Sequence, residues 1–297
     1  MSNLRALFFT TTSNECVNHA LSWADVGELI HKTFGHGALI NNDWQLLEYI
    51  QEHKPDVVFY IGACSGSGVP RPSTLIQARG MVPLISIVSD AGDAPWHPVM
   101  KAYRRRGCFD VQVAIDGVKG SPADLVTLTP VSHKLFAGQV TKDVRCGFSG
   151  TLGNDVRTQI VRSLEWFADL QVRNRTKTDG YPEHIAFLKR CQMTLNVSFN
   201  GSSTGHHIKG RVIEAGLAEC CLLEHVDSPI ADWFPSDCYI SYRTPKDAAQ
   251  TILRLGDATI QETAARLHHE VTTRFTPEII YRSILSRVDI TQSRTPI

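Results

Sequence analysis

Ser203-Thr-Gly-His-His-Ile-Lys-Gly-Arg-Val-Ile-Glu-Ala-Gly-Leu-Ala-Glu-Cys-Cys-Leu-Leu223 is the stretch that decides how the rest of the chain is read. It predicts a helix opening near residue 210, with Lys209 and Arg211 at its mouth and Glu214 one turn further in. Small residues follow (Ala215, Gly216, Ala218), then an apolar run, Cys220 to Leu223, that reads as a buried strand. The first amides of a helix point outward without intrahelical partners and attract anions. Two cations there make a seat for a diphosphate, and a neighbouring carboxylate can accept hydrogen bonds from sugar hydroxyls. The combination suits a ligand with a phosphate part and a hydroxyl-rich part, such as a nucleotide-sugar. The competing reading is a surface salt bridge between Arg211 and Glu214, which are three apart on one face. The apolar neighbours favour a packed helix.

Outward from this stretch, short apolar runs alternate with helical patterns. Ala6–Thr10, Asp56–Ile61, Val82–Val88 and Val111–Ile115 read as strands, and Val17 to Phe34 as a helix. After a connector around Pro130–Val144 a second series begins. Strands are expected at Cys146–Gly150, Leu170–Val172, Met193–Phe199, Cys220–Leu223 and Tyr239–Tyr242. A helix with Val156, Ile160, Leu164 and Phe167 on one stripe lies between the first two. Thr244-Pro-Lys-Asp247 and Thr276-Pro-Glu278 carry helix-start signals. Continuous β-branched runs separated by helices indicate parallel sheets covered on both faces. The fold class expected is α/β, with two Rossmann-like domains facing across a cleft. Residues 1–140 form the acceptor-side domain, 141–288 the nucleotide-binding domain, whose last helix can pack back on the first, and 289–297 a loose tail.

In open α/β sheets ligands sit at the carboxyl ends of strands. Gly62–Gly68 and Ser89–Asp93 follow strands and qualify by position. Asp90, Asp93 and His97 are the candidates for a general base that removes a proton from an attacking hydroxyl, each with loop capping as its alternative. In the second series Gly150 and Gly153 permit a tight turn, Asn154 can cap the helix that follows, and Arg157 falls in its first turn. A cation opposes the helix dipole there unless it faces a phosphate. Asn196 and Asn200 flank an apolar strand and need partners, either in a neighbouring loop or in a ligand site.

The 297 residues are 42% hydrophobic and 20% charged, with 30 basic and 30 acidic side chains. A net charge of zero argues against a protein-wide field for nucleic acid. No apolar run reaches the roughly 18–20 residues of a membrane span, and a cytoplasmic location is expected. The eight cysteines show no C-x-x-C spacing and read as reduced, buried thiols. His206-His207 and His268-His269 are adjacent pairs that do not share a helix face, so no metal site is expected from them.

Lys209-Gly-Arg-Val-Ile-Glu214 followed by small residues and an apolar strand resembles the C-terminal signature of GT-B glycosyltransferases, in particular the CgeB-like glycosyl transferases group 1 set. The resemblance extends to Pro130–Phe136, Gly147–Thr151 with Arg157, Leu195-Asn196, Trp233-Phe234 and the helix from Thr244. It implies that Gly150, Thr151 and Arg157 lie near donor phosphates, that Lys209 and Arg211 neutralise the leaving diphosphate without an essential metal, and that Glu214 binds ribose or sugar hydroxyls. The position eight before Glu214, a second glutamate in many retaining members, is His206 here, which can touch donor sugar or phosphate.

The function expected is transfer of a sugar from a nucleotide-diphosphate sugar, UDP-linked, to a hydroxyl acceptor such as a glycan, a protein or a modified nucleic-acid base, with no cofactor. The alternatives are a non-catalytic two-lobed binding protein for a nucleotide or sugar, and a nucleotide-sugar epimerase of the same fold.

Overall fold

Five consecutive buried residues in Val57–Ile61 (β3) and again in Leu84–Val88 (β4) show why the first half folds as it does: these strands have no solvent face. They lie inside a six-stranded sheet with Arg5–Thr11 (β1), Glu28–Phe34 (β2), Val111–Ala114 (β5) and Leu125–Val126 (β6). The order is β2-β1-β3-β4-β5-β6, and every neighbouring pair is parallel. Asn14–Trp23 (α1), Asn42–His53 (α2), Pro72–Met81 (α3) and His97–Arg106 (α4) alternate with them. The computed structural model describes residues 3–11, 14–34, 42–61, 69–153, 155–174, 180–199, 205–208 and 210–290. The chain divides into two units, Met1–Ser132 with Pro277–Ile297, and His133–Thr276.

The helix expected over Val17–Phe34 is instead α1 followed by an edge strand. Gly27 sits at the turn between them. A Cβ there would come within 2.6 Å of the Leu4 carbonyl and 2.9 Å of Trp23 Nε1, so the chain can reverse only through a glycine. Beyond it, Glu28 to Phe34 pairs residue for residue with Arg5 to Thr11. The strand lies at the sheet edge, largely half-buried, and its mixed sequence shows no clean period.

Aromatic rings fill the first unit. Phe8 stacks on Phe59 at 4.6 Å, and Trp23 meets Tyr281 edge-on at 4.9 Å. Tyr281 belongs to Pro277–Leu285 (α10), is fully buried, and donates its hydroxyl to the His19 carbonyl at 2.9 Å. Burial pushes its phenol well above the ordinary range.

The second unit holds a five-stranded parallel sheet of Val144–Gly150 (β7), Gln171–Asn174 (β8), Cys191–Leu195 (β9), Cys221–His225 (β10) and Ile240–Tyr242 (β11). Its order is β11-β10-β9-β7-β8. Its helices are Asp155–Ala168 (α5), Tyr181–Arg190 (α6), Arg211–Leu217 (α7), Pro245–Arg254 (α8) and Asp257–Arg274 (α9). Ile160 and Leu164 are buried on α5 as the stripe requires, but Phe167 is 69% exposed. The helix ends one residue later, and Ala168 and Leu170 close the core in its place. The strand expected to run to Phe199 stops at Leu195; the Asn196 amide still bonds the Leu223 carbonyl at 2.9 Å, while the Asn196 carbonyl accepts from the Tyr242 hydroxyl at 2.8 Å. Thr244 and Asp247 form the reciprocal capping box expected at the start of α8. Cys108, Cys146, Cys191, Cys220, Cys221 and Cys238 are free and buried.

Candidate functional site

The chain passes from β7 to β8 on one side and then crosses to β9 on the other. The order of the second sheet therefore reverses between β7 and β9, and this is the position where open α/β sheets bind ligands, outside the strands' carboxyl ends. Ser149 and Gly150 end β7, Asn196 follows β9, and α7 opens with Arg211 beside them.

Arg211 ties these ends together. Its guanidinium donates to the Ser149 carbonyl and, at 3.2 Å, to Asn196 Oδ1, and it lies 5.0 Å over the Phe148 ring. A Cβ on Gly150 would come within 2.6 Å of Arg211 Nη2. Glycine is therefore needed here for close approach, so that the arginine can lie across the strand end. Arg211 points inward, half-buried.

Glu214, one turn on, is buried. Its two oxygens accept from the Tyr181 hydroxyl at 2.8 Å and meet His184 Nε2 at 2.9 Å. The other His184 nitrogen meets Ser149 Oγ at 2.8 Å, so a continuous polar chain runs from α6 through Glu214 to β7. Burial alone would raise the Glu214 carboxyl; His184, Arg211 and Tyr181 oppose it and hold the group down to about 2. Each carboxylate oxygen retains a second lone-pair direction for a ligand hydroxyl. The arginine and glutamate that share a helix face thus have separate partners and form no surface salt bridge with each other.

Asn196 is fully buried and has both sides of its amide in use. Its oxygen takes Arg211, and its nitrogen donates to Glu224 Oε2 at 2.6 Å. Glu224 is a carboxylate inside the core on β10; burial pushes it up to about 7 against the donors Asn196, Ser198 and the His225 amide. Ser198 Oγ also meets His206 Nδ1 at 2.8 Å. The His206 ring packs on Phe199 and stacks on His225, with centroids 4.7 Å apart.

Arg157 donates to the Thr151 carbonyl at 3.1 Å and to the Phe199 carbonyl at 3.4 Å, joining the turn after β7 to the segment after β9. Thr151 itself is exposed. Lys209, Asn154, Asn200 and the loop Gly62–Gly68 lie outside the described residues.

The structure thus brings together Gly150, Thr151, Arg157, Asn196, His206, Arg211 and Glu214 within the second unit. Asp90, Asp93 and His97 belong to the first. Asp93 is buried, and its amide bonds the Asp90 carbonyl at 3.1 Å. His97 Nε2 lies 3.0 Å from the Ala91 carbonyl. A carbonyl only accepts, so the proton sits on Nε2 and Nδ1 carries the lone pair in the neutral ring. Asp116, buried below this loop, accepts from the Gly92 amide at 2.7 Å and holds its shape.

Sequence reasoning missed Tyr181, His184 and Glu224. Tyr181 and His184 are three apart in the first turn of α6, a spacing that puts both on one face. Glu224 lies in β10, one residue beyond the apolar run Cys220–Leu223, and nothing in its local sequence marks it. What the assembled site offers is a fixed guanidinium and a carboxylate kept ionised, held at strand ends by buried hydrogen bonds. Such preorganised charge stabilises charge that develops on a substrate.

A protein-family profile described as glycosyl transferase-like matches residues 136–286. No curated protein matches the chain. Among solved structures, the chain is similar to Anabaena HepE in complex with UDP, with a TM-score of 0.62 at 10% identity over 95% of this chain and 99% of that one. It is similar to an alpha-glucosyltransferase in complex with UDP-glucose and DNA containing an abasic site, with a TM-score of 0.61 at 8% identity over 98% and 100% of the two chains. A glycosyltransferase from Rickettsia africae aligns with a TM-score of 0.58 at 11% identity over 96% and 97%. At these identities the solved structures speak to the fold: two parallel-sheet units of the GT-B kind. The profile covers the strands and helices that assemble Arg211, Asn196 and Glu214, and on that ground the chain belongs to the glycosyl transferase-like family and is a glycosyltransferase.

Proposed function

We propose that the enzyme takes a sugar from a UDP-sugar and passes it to a hydroxyl acceptor, with no essential metal in the transfer step. The observation that carries this reading is the convergence of Gly150, Asn196 and Arg211 on the point where the second sheet reverses its strand order. The acceptor oxygen attacks the anomeric carbon, the bond from that carbon to the diphosphate oxygen breaks, and UDP leaves with the electron pair. Arg211 and Arg157 meet the charge that grows on the diphosphate, with Lys209 a further cation by its place in the sequence. Glu214 accepts from a donor hydroxyl. The acceptor proton goes to a base in the Ser89–His97 loop, and His97 Nδ1 is the lone pair offered there. Glycans, proteins and nucleic-acid hydroxyls are the acceptor classes to assay; DNA accompanies UDP-glucose in one of the similar structures.

A thermal-shift series with UDP, UDP-sugars and other nucleotides tests the reading, because a ligand that binds only the folded state raises its melting temperature. UDP and a UDP-sugar should stabilise the protein. Arg211→Ala should weaken UDP binding by roughly 1.5–3 kcal/mol, the scale of a charge-assisted hydrogen bond. A folded variant with unchanged affinity would move the donor site elsewhere. Slow release of UDP without acceptor separates a transferase from a pure binder, and conversion of one UDP-sugar into another without acceptor would identify an epimerase. Chelator should leave turnover intact.

A further inference from the structure

The polar chain that leaves Glu224 runs through Ser198 to His206, which lies beside two further groups, His225 and Asp227. One donor atom from each of His206, His225 and Asp227 lies within 4.8 Å of the other two. His225 Nδ1 and Asp227 Oδ2 are 3.7 Å apart. Hydrogen bonds settle which imidazole nitrogens carry no proton. The Asp227 amide donates to His225 Nδ1 at 3.2 Å, so that nitrogen holds a lone pair, and His225 Nε2–H goes to the Arg243 carbonyl, also at 3.2 Å. Ser198 Oγ is hydrogen-bonded to Glu224 and to His206 Nδ1. With its own proton on the carboxylate, the hydroxyl accepts Nδ1–H and leaves His206 Nε2 bare. Each ring therefore gives its N–H to a fixed acceptor, a backbone carbonyl or a hydroxyl backed by a carboxylate, and keeps a lone pair on the other nitrogen, which in His225 accepts the Asp227 amide. That division of labour is the outer-shell arrangement of metal-ligating histidines.

The geometry points to a binding site for a divalent first-row transition ion, zinc above all, formed by His206, His225 and Asp227. Two imidazoles and one carboxylate are a borderline donor set that suits zinc. Metal–ligand bonds of 2.0–2.2 Å in a tetrahedral site need donors about 3.3 Å apart. His206 is half-buried and Asp227 exposed, so both can move: the His206 ring, at 12° to His225, has to turn out of the stack to bring its lone pair onto the ion, while the buried His225 stays as the anchor. Coordination replaces the long Asp227 amide bond to Nδ1. His206 pairs with Phe199 in an isolated antiparallel bridge, so the ion would fasten the segment leading into α7 to the end of β10. Three protein ligands leave a fourth position for water. For His206 this reading replaces the donor contact expected from its sequence position, and it runs against the metal-free expectation from the adjacent histidine pairs: the second histidine is not His207 but His225, supplied by a neighbouring strand.

The test uses full-length protein stripped with chelator, dialysed, and titrated with Zn2+ by calorimetry and with Co2+ by visible absorption. One equivalent should bind, with nitrogen- and oxygen-ligand Co2+ bands and no thiolate charge transfer. His206→Ala and Asp227→Asn should each weaken binding at least about tenfold, with circular dichroism unchanged, and His269→Ala on the exposed face of α9 should not. Failure of the wild type to bind, or equal affinity in His206→Ala and Asp227→Asn, overturns the site. UDP binding measured on the same stripped protein reports on the donor reading separately, so either can fail alone.

Discussion

The two sheets share a parallel topology and differ in what they bury. The first packs rings: Phe8, Phe59, Trp23 and Tyr281 meet face and edge, and the hydroxyl of Tyr281 is a minor polar guest. The second buries at its strand ends a network of Ser149, His184, Glu214, Asn196 and Glu224. Ring packing stabilises in rough proportion to the area removed from water. A buried polar network stabilises only while every member keeps its partners, and it fixes geometry as it does so. The second unit thus gives up part of an apolar core for groups held at defined positions, which is where charge must be handled.

The sharpest break in this comparison is His184→Ala. It leaves the buried Glu214 carboxylate without its main partner and should cost roughly 3–5 kcal/mol. Chemical denaturation should show that loss; a cost under about 1 kcal/mol would mean that the network is ornamental.

Acid should then separate the units. Glu214 is held down to about 2 against an ordinary 4.5, so between those values the unfolded chain binds the proton that the folded one refuses. Its stabilisation is complete above about pH 4.5 and is lost as the pH falls towards 2. Melting temperature should drop over that window in the wild type and less steeply in Glu214→Gln, which starts lower at neutral pH. Parallel curves would remove Glu214 from the acid response.

Tyr281→Phe probes the apolar partner. It keeps the ring and removes a buried hydroxyl that is bonded to the His19 carbonyl and to Ser22 Oγ, with an expected cost of about 1–2 kcal/mol, read in denaturant. Gly150→Ala has the smallest effect on stability and the most specific one on function. Its new methyl meets Arg211 Nη2, the end of a flexible side chain that can swing away. The melting temperature should change little, while UDP affinity falls about tenfold through the displaced guanidinium, as calorimetry would show.

Much of this was legible beforehand because burial leaves a one-dimensional trace. Val57–Ile61 and Leu84–Val88 have no solvent face, and a strand buried on both sides reads as an unbroken apolar run. Thr244 and Asp247 announce their helix through local hydrogen bonds. Gly150 and Arg211 were visible by residue type, but not the reason for the glycine, which is contact across 61 positions of chain. The edge strand Glu28–Phe34 was read as helix because its composition is mixed and the stop signal, Gly27, depends on space beside Leu4 and Trp23. Tyr181 and His184 reach Glu214 across 33 and 30 residues. No local spacing encodes such a meeting; only the return of α6 along the sheet creates it.

The placement of Tyr281 has a consequence for biosynthesis. The ring that completes the first unit's interior is translated after all of residues 133–276. A growing polypeptide can therefore close its later-encoded unit while the earlier one still lacks a wall, with Phe8, Trp23 and Phe59 open to misassociation until α10 arrives. Ribosome-bound fragments that stop before Pro277 should accordingly be the ones most dependent on chaperones.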